Sequence, residues 1–373
     1  MKTLILTNDF PPRAGGIQQF VHNLALRRPE GSVVVYAPSW KGAAEFDAAQ
    51  PFPVVRHPTS LMLPEPSVLR RAREIVRAEG CEAVLFGASA PLGLLAPALR
   101  RDGIVRAVGI THGHEAAWAQ LPGARTLLRR IGDGLDVMTY LGEYTRSRMA
   151  AALRPQAAAR MERLAPGVDV KAFHAGAGGE EIRQRHGLAG RPVAVCVSRL
   201  VPRKGQDTLI RAWPEVLRRV PGAALLLVGG GPYREDLEAL AERHGVASSV
   251  VLTGSVPWSE LPAHYDAGDV FAMPCRTRRR GLDVEGLGIV YLEASATGLP
   301  VVAGDSGGAP DAVLPGETGV VVPGRSVPAT AGAVADLLAD PARARDLGAR
   351  GRSWVEDEWT WARQAARLDA LLT

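Results

Sequence analysis

The chain has 373 residues, of which 46% are hydrophobic, and a formal net charge of +5. This length exceeds what a single hydrophobic core usually holds, so we expect two domains of ordinary size. The longest apolar runs, such as residues 223–228, are far shorter than the about 20 residues that a membrane-spanning helix needs, and no basic and apolar leader precedes the first strand, which favours a cytoplasmic location.

The positive charge indicates an anionic partner, although an arginine-heavy, alanine-rich composition could equally reflect the base composition of the genome. Nucleic acid is disfavoured, because no recognition-helix, RRM, KH or zinc-finger signature is present and only 5% of the residues are aromatic. A peripheral contact with an anionic membrane fits better, since the positive charge recurs on short amphipathic stretches. Cys81, Cys196 and Cys275 have no metal-like spacing, and we expect them to be small core residues in a reducing compartment.

The chain begins with a strand, a glycine-rich loop and a helix. Residues 2–7 (KTLILT) predict a buried strand, residues 8–16 (NDFPPRAGG) a loop and residues 17–26 a helix. The two prolines exclude helix from the loop, and Gly15 and Gly16 allow the backbone to approach a ligand closely. This arrangement indicates an anion site, although an ordinary strand-to-helix connection has the same pattern.

The rest of the first half predicts further strands and two basic helices. The strands are predicted at residues 33–37, 54–57, 83–86, 105–111 and 137–141, with a helix at residues 143–153. Residues 67–79 predict an amphipathic helix with Ser67 as its N-cap, and residues 125–131 repeat the basic amphipathic pattern. Their arginines indicate either a solvated helix face or a membrane-docking face.

The strand at residues 105–111 is followed directly by His112. A side chain at the carboxyl end of a parallel strand points into the crevice where open α/β sheets bind ligands. His112 is therefore a candidate site residue, with His114 as the second choice. Many such histidines only bind neighbouring backbone groups, and the pattern alone leaves that alternative open.

The second half repeats the alternation of strands and helices. Residues 164–169 (LAPGVD) suit a hinge, so we expect a domain boundary near residues 166–180. Strands are predicted at residues 193–198, 224–229, 250–254, 270–274 and 301–304, and helices from residues 206, 233, 259, 288 and 309, with a terminal helix at 354–372. Alternation this regular implies parallel sheets that are covered by helices on both faces.

Two glutamates separated by seven residues stand at the centre of this half. Glu285 and Glu293 are divided by Gly286, Leu287 and Gly288, which predict a turn that opens into a helix. The unpaired amides of that helix's first turn attract phosphate, and sugar hydroxyls would donate to carboxylates beside the anion. The pattern fits a nucleotide sugar, while a plain strand-to-helix turn with solvated glutamates is the alternative.

This stretch resembles the E-x7-E element of retaining glycosyltransferases of the GT-B fold. The longer string TRxxGLDVEGLGIVYLEA is similar to the actinobacterial phosphatidylinositol mannoside mannosyltransferases, which use GDP-mannose. The resemblance extends from Thr7 to the C-terminus and implies two Rossmann-like α/β domains that face each other across a cleft, with a C-terminal helix that crosses back to the first domain. The implied bounds are 1–168 for an acceptor domain, 169–352 for a nucleotide-sugar domain and 353–373 for the C-terminal helix.

The resemblance also implies a reaction and its residues. Mannose would pass from GDP-mannose, with retention and in α-linkage, to a phosphatidylinositol mannoside-type lipid at the cytoplasmic membrane face, without a metal or other cofactor. Arg199 and Lys204 would hold the pyrophosphate, Glu285 a hexose hydroxyl and Glu293 both ribose hydroxyls, while His112 would stand at the catalytic site. The other implied contacts are, for the donor, Gly15, Gly16, Gly230, Val256, Gly286, Leu287, Gly288 and Ile289 and, for the acceptor, Asn8, Asp9 and His112.

Three alternatives remain beside this interpretation. A transferase of the same fold could use another nucleotide sugar and a soluble acceptor, such as inositol phosphate or a glucan. A nicotinamide-dependent oxidoreductase is disfavoured because the first loop has adjacent glycines instead of G-x-G-x-x-G. A catalytically dead binder would be expected to have lost Arg199, Lys204, Glu285 or His112, and all four are present. The sequence leaves the nucleobase, the acceptor and the oligomeric state open.

Overall fold

The computed structural model describes residues 1–113, 115–119 and 121–373 of the chain. These residues divide into two compact units, the first made of Met1–Gly167 with Trp361–Thr373 and the second of Val168–Thr360. The change from one unit to the next lies within the LAPGVD segment. Each unit is built on one parallel sheet, which confirms the predicted α/β class of two Rossmann-like domains.

The first unit contains a seven-stranded sheet in the order β3-β2-β1-β4-β5-β6-β7, and every neighbouring pair is parallel. Its strands are β1 (Thr3–Leu6), β2 (Val33–Pro38), β3 (Val54–His57), β4 (Ala83–Phe86), β5 (Arg106–Gly109), β6 (Val137–Tyr140) and β7 (Met161–Arg163). Its helices before the second unit are α1 (Gly16–Ala25), α2 (Ala43–Ala48), α3 (Pro66–Glu79), α4 (Ala96–Leu99), α5 (Glu115–Trp118), α6 (Pro122–Gly134), α7 (Glu143–Ala150) and α8 (Pro155–Ala159).

The second unit contains a six-stranded parallel sheet in the order β10-β9-β8-β11-β12-β13. Its strands are β8 (Val193–Val197), β9 (Ala224–Val228), β10 (Val250–Gly254), β11 (Val270–Met273), β12 (Val301–Gly304) and β13 (Gly319–Val322). Its helices are α9 (Gly179–Arg185), α10 (Gln206–Arg219), α11 (Arg234–Arg243), α12 (Leu261–Asp266), α13 (Ile289–Ala296), α14 (Val327–Ala339) and α15 (Pro341–Glu358). The last helix, α16 (Trp361–Leu372), belongs to the first unit.

The short apolar strands explain why both sheets are parallel and buried. Strands β1, β4, β8 and β9 are buried at every residue, as is typical of strands that are covered on both faces. On one face of the first sheet, a core cluster takes Val68 from α3 and Leu128 from α6. The opposite face carries a cluster with Phe20 from α1 and Leu368 from α16. Helices α3 and α6 therefore share one side of this unit.

Three predicted elements differ from the structure. Ser67 is not an N-cap: α3 begins one residue earlier, at Pro66, because proline lacks the N–H that a first turn leaves unpaired, and the Ser67 hydroxyl donates to the Glu65 carboxylate at 2.7 Å. The helix predicted from Ala309 is only a 3-10 turn, Ala309–Ala312. It ends because Val313 is extended, and the chain then turns through Gly316, at φ 82°, into β13.

The predicted helix at residues 354–372 is in fact the end of α15 and the whole of α16. The break lies at Trp359 and Thr360. The Trp359 side chain is fully buried, its carbonyl accepts a hydrogen bond from the Val168 amide at 2.8 Å, and Thr360 forms a parallel bridge with Val168. Backbone groups that pair with Val168 cannot also continue an α-helix, so the helix stops here.

Two further features bear on the sequence-based expectations. All three cysteines are buried and free, as predicted. No helix in the described ranges is both long enough and apolar enough to cross a membrane.

The attachment of α16 gives a first test. We expect Leu368→Ala to lower the free energy of unfolding by about 2–5 kcal/mol, because this side chain is fully buried against the first sheet and its loss leaves a cavity. Leu26→Ala, at a leucine that is 42% exposed, is the control and should cost less than about 1 kcal/mol. Denaturant unfolding measures both, and equal losses would show that α16 is not packed as described.

Candidate functional site

Four charged side chains meet between two loops of the second unit. The Lys204 ammonium lies 2.7 Å from Oε2 of Glu285, and the Arg203 guanidinium contacts the same oxygen. Nε of Arg203 also lies 3.0 Å from Oδ1 of Asp283. The two cations follow β8 and the two carboxylates follow β11, so neighbouring strand ends bring them together. This cluster unites Lys204 and Glu285, which the sequence analysis had assigned to different parts of the donor.

Close backbone contacts fix the positions of the loops that carry Lys204 and Glu285. Gly205 has a φ of 80°, and a Cβ at this position would lie 2.1 Å from the Pro274 carbonyl oxygen. On the other side, the Gly308 amide donates to the Glu285 carbonyl at 2.8 Å, and a Cβ on Gly308 would lie 2.1 Å from the Gly286 carbonyl oxygen. Only glycine fits at Gly205 and Gly308, so the Lys204 loop lies against the end of β11 and the Glu285 turn lies against the loop after β12.

The turn opens into α13 without a side-chain cap. Gly288 is the N-cap residue, with a φ of 81°, and Leu287 before it is buried. The amides of Ile289 and Val290 belong to the first turn of α13 and have no acceptor within the helix. An anion at this helix N-terminus would meet unpaired N–H groups and the positive end of the helix dipole.

The two glutamates have opposite electrostatics. Burial raises the pKa of Glu285, but the charges of Lys204 and Arg203 outweigh it and hold that pKa below its usual value, so the carboxylate is ionised. Burial raises the pKa of Glu293 to about 7, opposed only by a hydrogen bond from the Tyr265 hydroxyl, which lies 2.6 Å from Oε2. Oε1 of Glu293 has no hydrogen bond to any described residue, which leaves one oxygen to accept from a ligand.

Arg199 is exposed at the end of β8. It lines a cavity of about 380 Å³ together with Arg203, Arg279 and Asp283. Arg279 and Arg280 in this lining loop both have left-handed backbone angles, at φ 48° and 54°, which are unfavourable for residues with a Cβ. The structure thus places Arg199 beside the Arg203–Asp283 pair, as a cation without an ion-pair partner among the described residues.

Gly230 and Val256 lie on neighbouring turns, as expected for strand ends of one sheet. The turns are joined by a hydrogen bond of 3.0 Å from the Gly229 amide to the Gly254 carbonyl. A Cβ on Gly230 would lie 2.4 Å from the Ser255 hydroxyl, so the two turns are in direct contact. Whether they bind a nucleoside stays a prediction.

In the first unit, Gly15 and Gly16 lie at the start of α1, which has no side-chain cap. A Cβ on Gly15 would lie 2.1 Å from Oε1 of Gln18, whereas a Cβ on Gly16 would meet nothing within 4 Å. Gln18 in turn donates to the Asp9 carboxylate at 2.7 Å. The backbone at Gly16 therefore has free space around it, and the Asp9 carboxylate already accepts one hydrogen bond, from Gln18.

The structure gives Asn8 a structural role that sequence reasoning missed. Its side-chain amide donates to the Met62 carbonyl at 2.9 Å, and its side-chain oxygen accepts from the Met62 amide at 2.7 Å. Both ends of the amide are thus used to hold the segment around Met62. An acceptor contact by this side chain, as the sequence analysis expected, would have to compete with these two bonds.

His112 is held by its ring. Nε2 lies 2.6 Å from the Gly87 carbonyl oxygen, which can only accept, so this nitrogen carries a hydrogen and donates it. The edge of the ring also packs on Phe20, with the centroids 5.8 Å apart. His114, the second choice, lies outside the described residues.

Several residues at the site were not predicted. They are Arg203 and Asp283 in the charged cluster, Tyr265 on Glu293, and Ser306, Gly307 and Gly308 behind the Glu285 turn. Arg203 stands next to Lys204, and the adjacent glycines follow a predicted strand, so both carried a signal in the sequence. Tyr265 lies in a short helix, and nothing local connects it with Glu293.

Comparison with known proteins identifies the family. The model described as "Glycosyl transferases group 1" matches residues 179–354, and "Glycosyltransferase Family 4" matches residues 14–172. The chain is 56% identical, over 99% of its length and 98% of the relative's, to the "GDP-mannose-dependent alpha-(1-6)-phosphatidylinositol monomannoside mannosyltransferase" of Mycolicibacterium smegmatis. The chain belongs to the GT-B glycosyltransferases. The family resemblance that the E-x7-E stretch indicated is therefore confirmed.

Other relatives and solved glycosyltransferase structures agree. A "GDP-mannose-dependent monoacylated alpha-(1-6)-phosphatidylinositol monomannoside mannosyltransferase" of Corynebacterium glutamicum is 44% identical over 100% of the chain and 97% of its own length. Among solved structures, HepE of Anabaena in complex with UDP has a TM-score of 0.82 at 19% identity, covering 100% of this chain and 99% of its own. Sucrose-phosphate synthase of Thermosynechococcus elongatus has a TM-score of 0.75 at 22% identity, covering 100% and 98%. At such identities the structures show the fold alone.

The raised pKa of Glu293 predicts a pH-dependent effect on stability. Between an ordinary carboxyl pKa of 4.5 and the folded value of about 7, the folded state binds more protons than the unfolded state, so this residue makes stability fall as pH rises through that window. Glu293→Gln removes the titration. It should stabilise the protein relative to wild type at pH 8, by about 3 kcal/mol at most, with little gain at pH 4.5.

Unfolding free energies measured from pH 4.5 to 8 test this. Glu242→Gln, at an exposed position on α11, is the matched control and should show no such pH dependence. A constant difference between Glu293→Gln and wild type across the range would contradict the buried, titrating carboxyl.

Proposed function

We propose that the protein transfers mannose from GDP-mannose, with retention and in α-linkage, to the headgroup of a phosphatidylinositol mannoside-type lipid. The observation that carries the proposal is the cluster of Lys204, Arg203 and Glu285 beside the uncapped start of α13. It stands in a chain that is 56% identical, over nearly its full length, to a relative whose name states that donor and lipid class.

The cluster supplies fixed positive charge, which the departure of a nucleoside diphosphate requires. Negative charge grows on the leaving phosphate oxygen as the sugar bond breaks, so fixed cations stabilise the transition state more than the bound donor. Lys204 and the exposed Arg199 are the cations for this role. The hexose would donate a hydroxyl to Glu285, and the ribose would donate to the unoccupied oxygen of Glu293.

The electrostatics of Glu285 favour front-face transfer over a covalent intermediate. A nucleophilic carboxylate must be free to share its electrons with the sugar. Two cations already contact Oε2 of Glu285, and they lower its pKa and therefore its basicity. Glu285 suits a hydroxyl-accepting role, and the incoming acceptor would attack on the face from which the diphosphate leaves.

We also propose that transfer needs no metal. The nearest acidic pair, Asp283 and Glu285, already has Arg203 and Lys204 as charge partners. A divalent cation would have to displace both. Cationic side chains can supply the same stabilisation of a leaving diphosphate.

Loss of either charge partner should slow the reaction strongly. We expect Glu285→Gln and Lys204→Ala each to reduce turnover about a hundredfold or more, because each removes one fixed charge from the donor centre. The assay follows label from GDP-mannose into the organic phase with a phosphatidylinositol mannoside acceptor. Arg343→Gln, at an exposed site on α15, is the control.

Parallel reactions with UDP-glucose and UDP-N-acetylglucosamine test the donor, and added chelator tests the metal. Label transferred only from a uridine donor, or only to water-soluble inositol phosphate, would move the protein to the runner-up function. Activity that chelator removes and magnesium restores would refute metal independence, and full activity of either variant would refute the donor site.

We further propose that the first unit contacts the membrane through the side that carries α3 and α6. Four leucines are exposed there, at positions Leu61, Leu63, Leu121 and Leu127. Arg70 on α3 and Arg130 on α6 are exposed and have no ion pair with any described residue. Arg73 and Arg77, by contrast, both pair with Asp102, at 2.7 and 2.5 Å, and hold α3 in place.

This division of the arginines predicts which ones matter for docking. The double variant Arg70→Gln/Arg130→Gln should weaken binding to anionic phosphatidylinositol vesicles about thirtyfold at low salt, since each arginine near such a surface contributes about 1 kcal/mol. Arg343→Gln/Arg345→Gln, which removes the same charge from exposed positions on α15, should bind as wild type does. Vesicle sedimentation measures both, and equal binding of the two variants would refute this docking side.

A further inference from the structure

A second basic cavity lies in the second unit, apart from the Glu285 cluster. It has a volume of about 560 Å³, within the usual size of small-molecule sites. The residues that line it are Pro202, Asp207, Thr208, Arg211, Tyr233, Arg276, Arg278, Arg325 and Val327. We call it the Arg211–Arg325 cavity. Only Pro202 and Arg278 also line the smaller cavity that contains Arg199.

The charges in this cavity do not balance. Four guanidinium groups line it with a single carboxylate, that of Asp207. Asp207 is shared between Arg276, at 2.8 Å, and Arg211, at 2.9 Å. Arg325 donates to the Thr277 carbonyl at 3.1 Å and has no carboxylate partner among the described residues. Arg278 lies 3.7 Å from Oδ2 of Asp283, outside the lining, so the cavity carries an excess of two positive charges once this pair is counted.

Part of the cavity is rigid. The side chains of Arg276 and Asp207 are only 12% and 7% exposed, and Arg276 also donates to the Thr208 hydroxyl at 3.0 Å. Thr208 lies in the first turn of α10, and Val327 is the first residue of α14. The first turns of α10 and α14 thus border the same space as the arginines, with Ser326 already capping the Ala329 amide of α14.

We propose that the Arg211–Arg325 cavity binds a polyanion with two phosphate groups, at a site separate from the donor centre. Two excess positive charges are matched by a diphosphate better than by a singly charged anion. Guanidinium groups suit phosphate because they donate two parallel hydrogen bonds to it. The diphosphate is either a free anion, such as inorganic pyrophosphate, or part of a phosphorylated lipid headgroup, and the chemistry of recognition is shared.

The test must keep the donor centre from contributing. Inorganic pyrophosphate is titrated calorimetrically into wild type that is saturated with GDP and, separately, into Lys204→Ala without GDP. We expect binding in both cases. Arg211→Gln/Arg325→Gln, saturated with GDP, should bind pyrophosphate at least tenfold more weakly, while Arg343→Gln/Arg345→Gln should bind as wild type does. Pyrophosphate binding that the cavity variant leaves unchanged would overturn the proposal.

GDP binding itself separates this proposal from the proposed function. The Arg211→Gln/Arg325→Gln variant should bind GDP as tightly as wild type, because neither residue contacts Lys204 or Glu285. Adding Arg211→Gln/Arg325→Gln to Lys204→Ala repeats the comparison without GDP, so a loss of pyrophosphate binding on that addition supports the cavity even where GDP fails to bind. The single variant Arg325→Glu, with its melting temperature checked against wild type, repeats the test with a reversed charge.

The source of the phosphates is decided by a second ligand. Glycerophosphoinositol 4,5-bisphosphate, with two phosphate monoesters and a phosphodiester to glycerol, is the water-soluble form of a doubly phosphorylated lipid headgroup. It replaces pyrophosphate in the same titrations. Tighter binding of this ligand, lost in Arg211→Gln/Arg325→Gln, supports the lipid source. Tighter binding of pyrophosphate supports the free anion, and binding of neither ligand overturns the site.

Discussion

The contact of one carboxylate with two cations is the constraint on which the second unit's site depends. Glu285 is buried, and a buried charge is tolerated only when it is paired and hydrogen-bonded. Lys204 and Arg203 provide that pairing from the loop after β8, while Glu285 comes from the loop after β11. The ion pair thus ties two loops together, keeps the carboxylate ionised and holds a cation beside the start of α13. Loss of Glu285 would leave Lys204 without its ion-pair partner in a poorly solvated place.

The parallel sheet explains why these groups can meet at all. In such a sheet all strands end at one edge, so loops that are distant in the chain become neighbours there. Backbone contacts at Gly205 and Gly308 then bring the loops closer than side chains would allow. The same edge carries the Gly230 and Val256 turns and the Arg211–Arg325 cavity. The candidate donor site and the proposed second anion site both depend on loops that meet at this edge of the sheet.

The partners of the arginines decide what each basic surface can do. On α3, Arg73 and Arg77 share Asp102 and are thereby committed to the fold, whereas Arg70 is available to an anionic surface. In the Arg211–Arg325 cavity, Arg276 forms an ion pair with Asp207, and the proposed anion would neutralise the remaining positive charge. A count of charged residues does not distinguish arginines that are paired within the fold from arginines that are free to bind a ligand. The contacts of each side chain do.

The sequence by itself determined the fold class, the start of α13 and the glycine-rich turns, including the one beside Glu285, because strand–helix alternation and glycine-rich turns are local patterns. Lys204 was named only through the family resemblance. Only the tertiary structure decided the partners. Lys204 contacts Glu285, which lies 81 residues away in the sequence. Glu293 accepts a hydrogen bond from Tyr265, 28 residues away, and Asn8 is hydrogen-bonded to Met62, 54 residues away. The break at Trp359 likewise follows from pairing with Val168, far away in the chain. Local preference specifies where an element forms, but hydrogen bonds and ion pairs between distant residues depend on how the sheets bring strand ends together, and no local pattern contains that information.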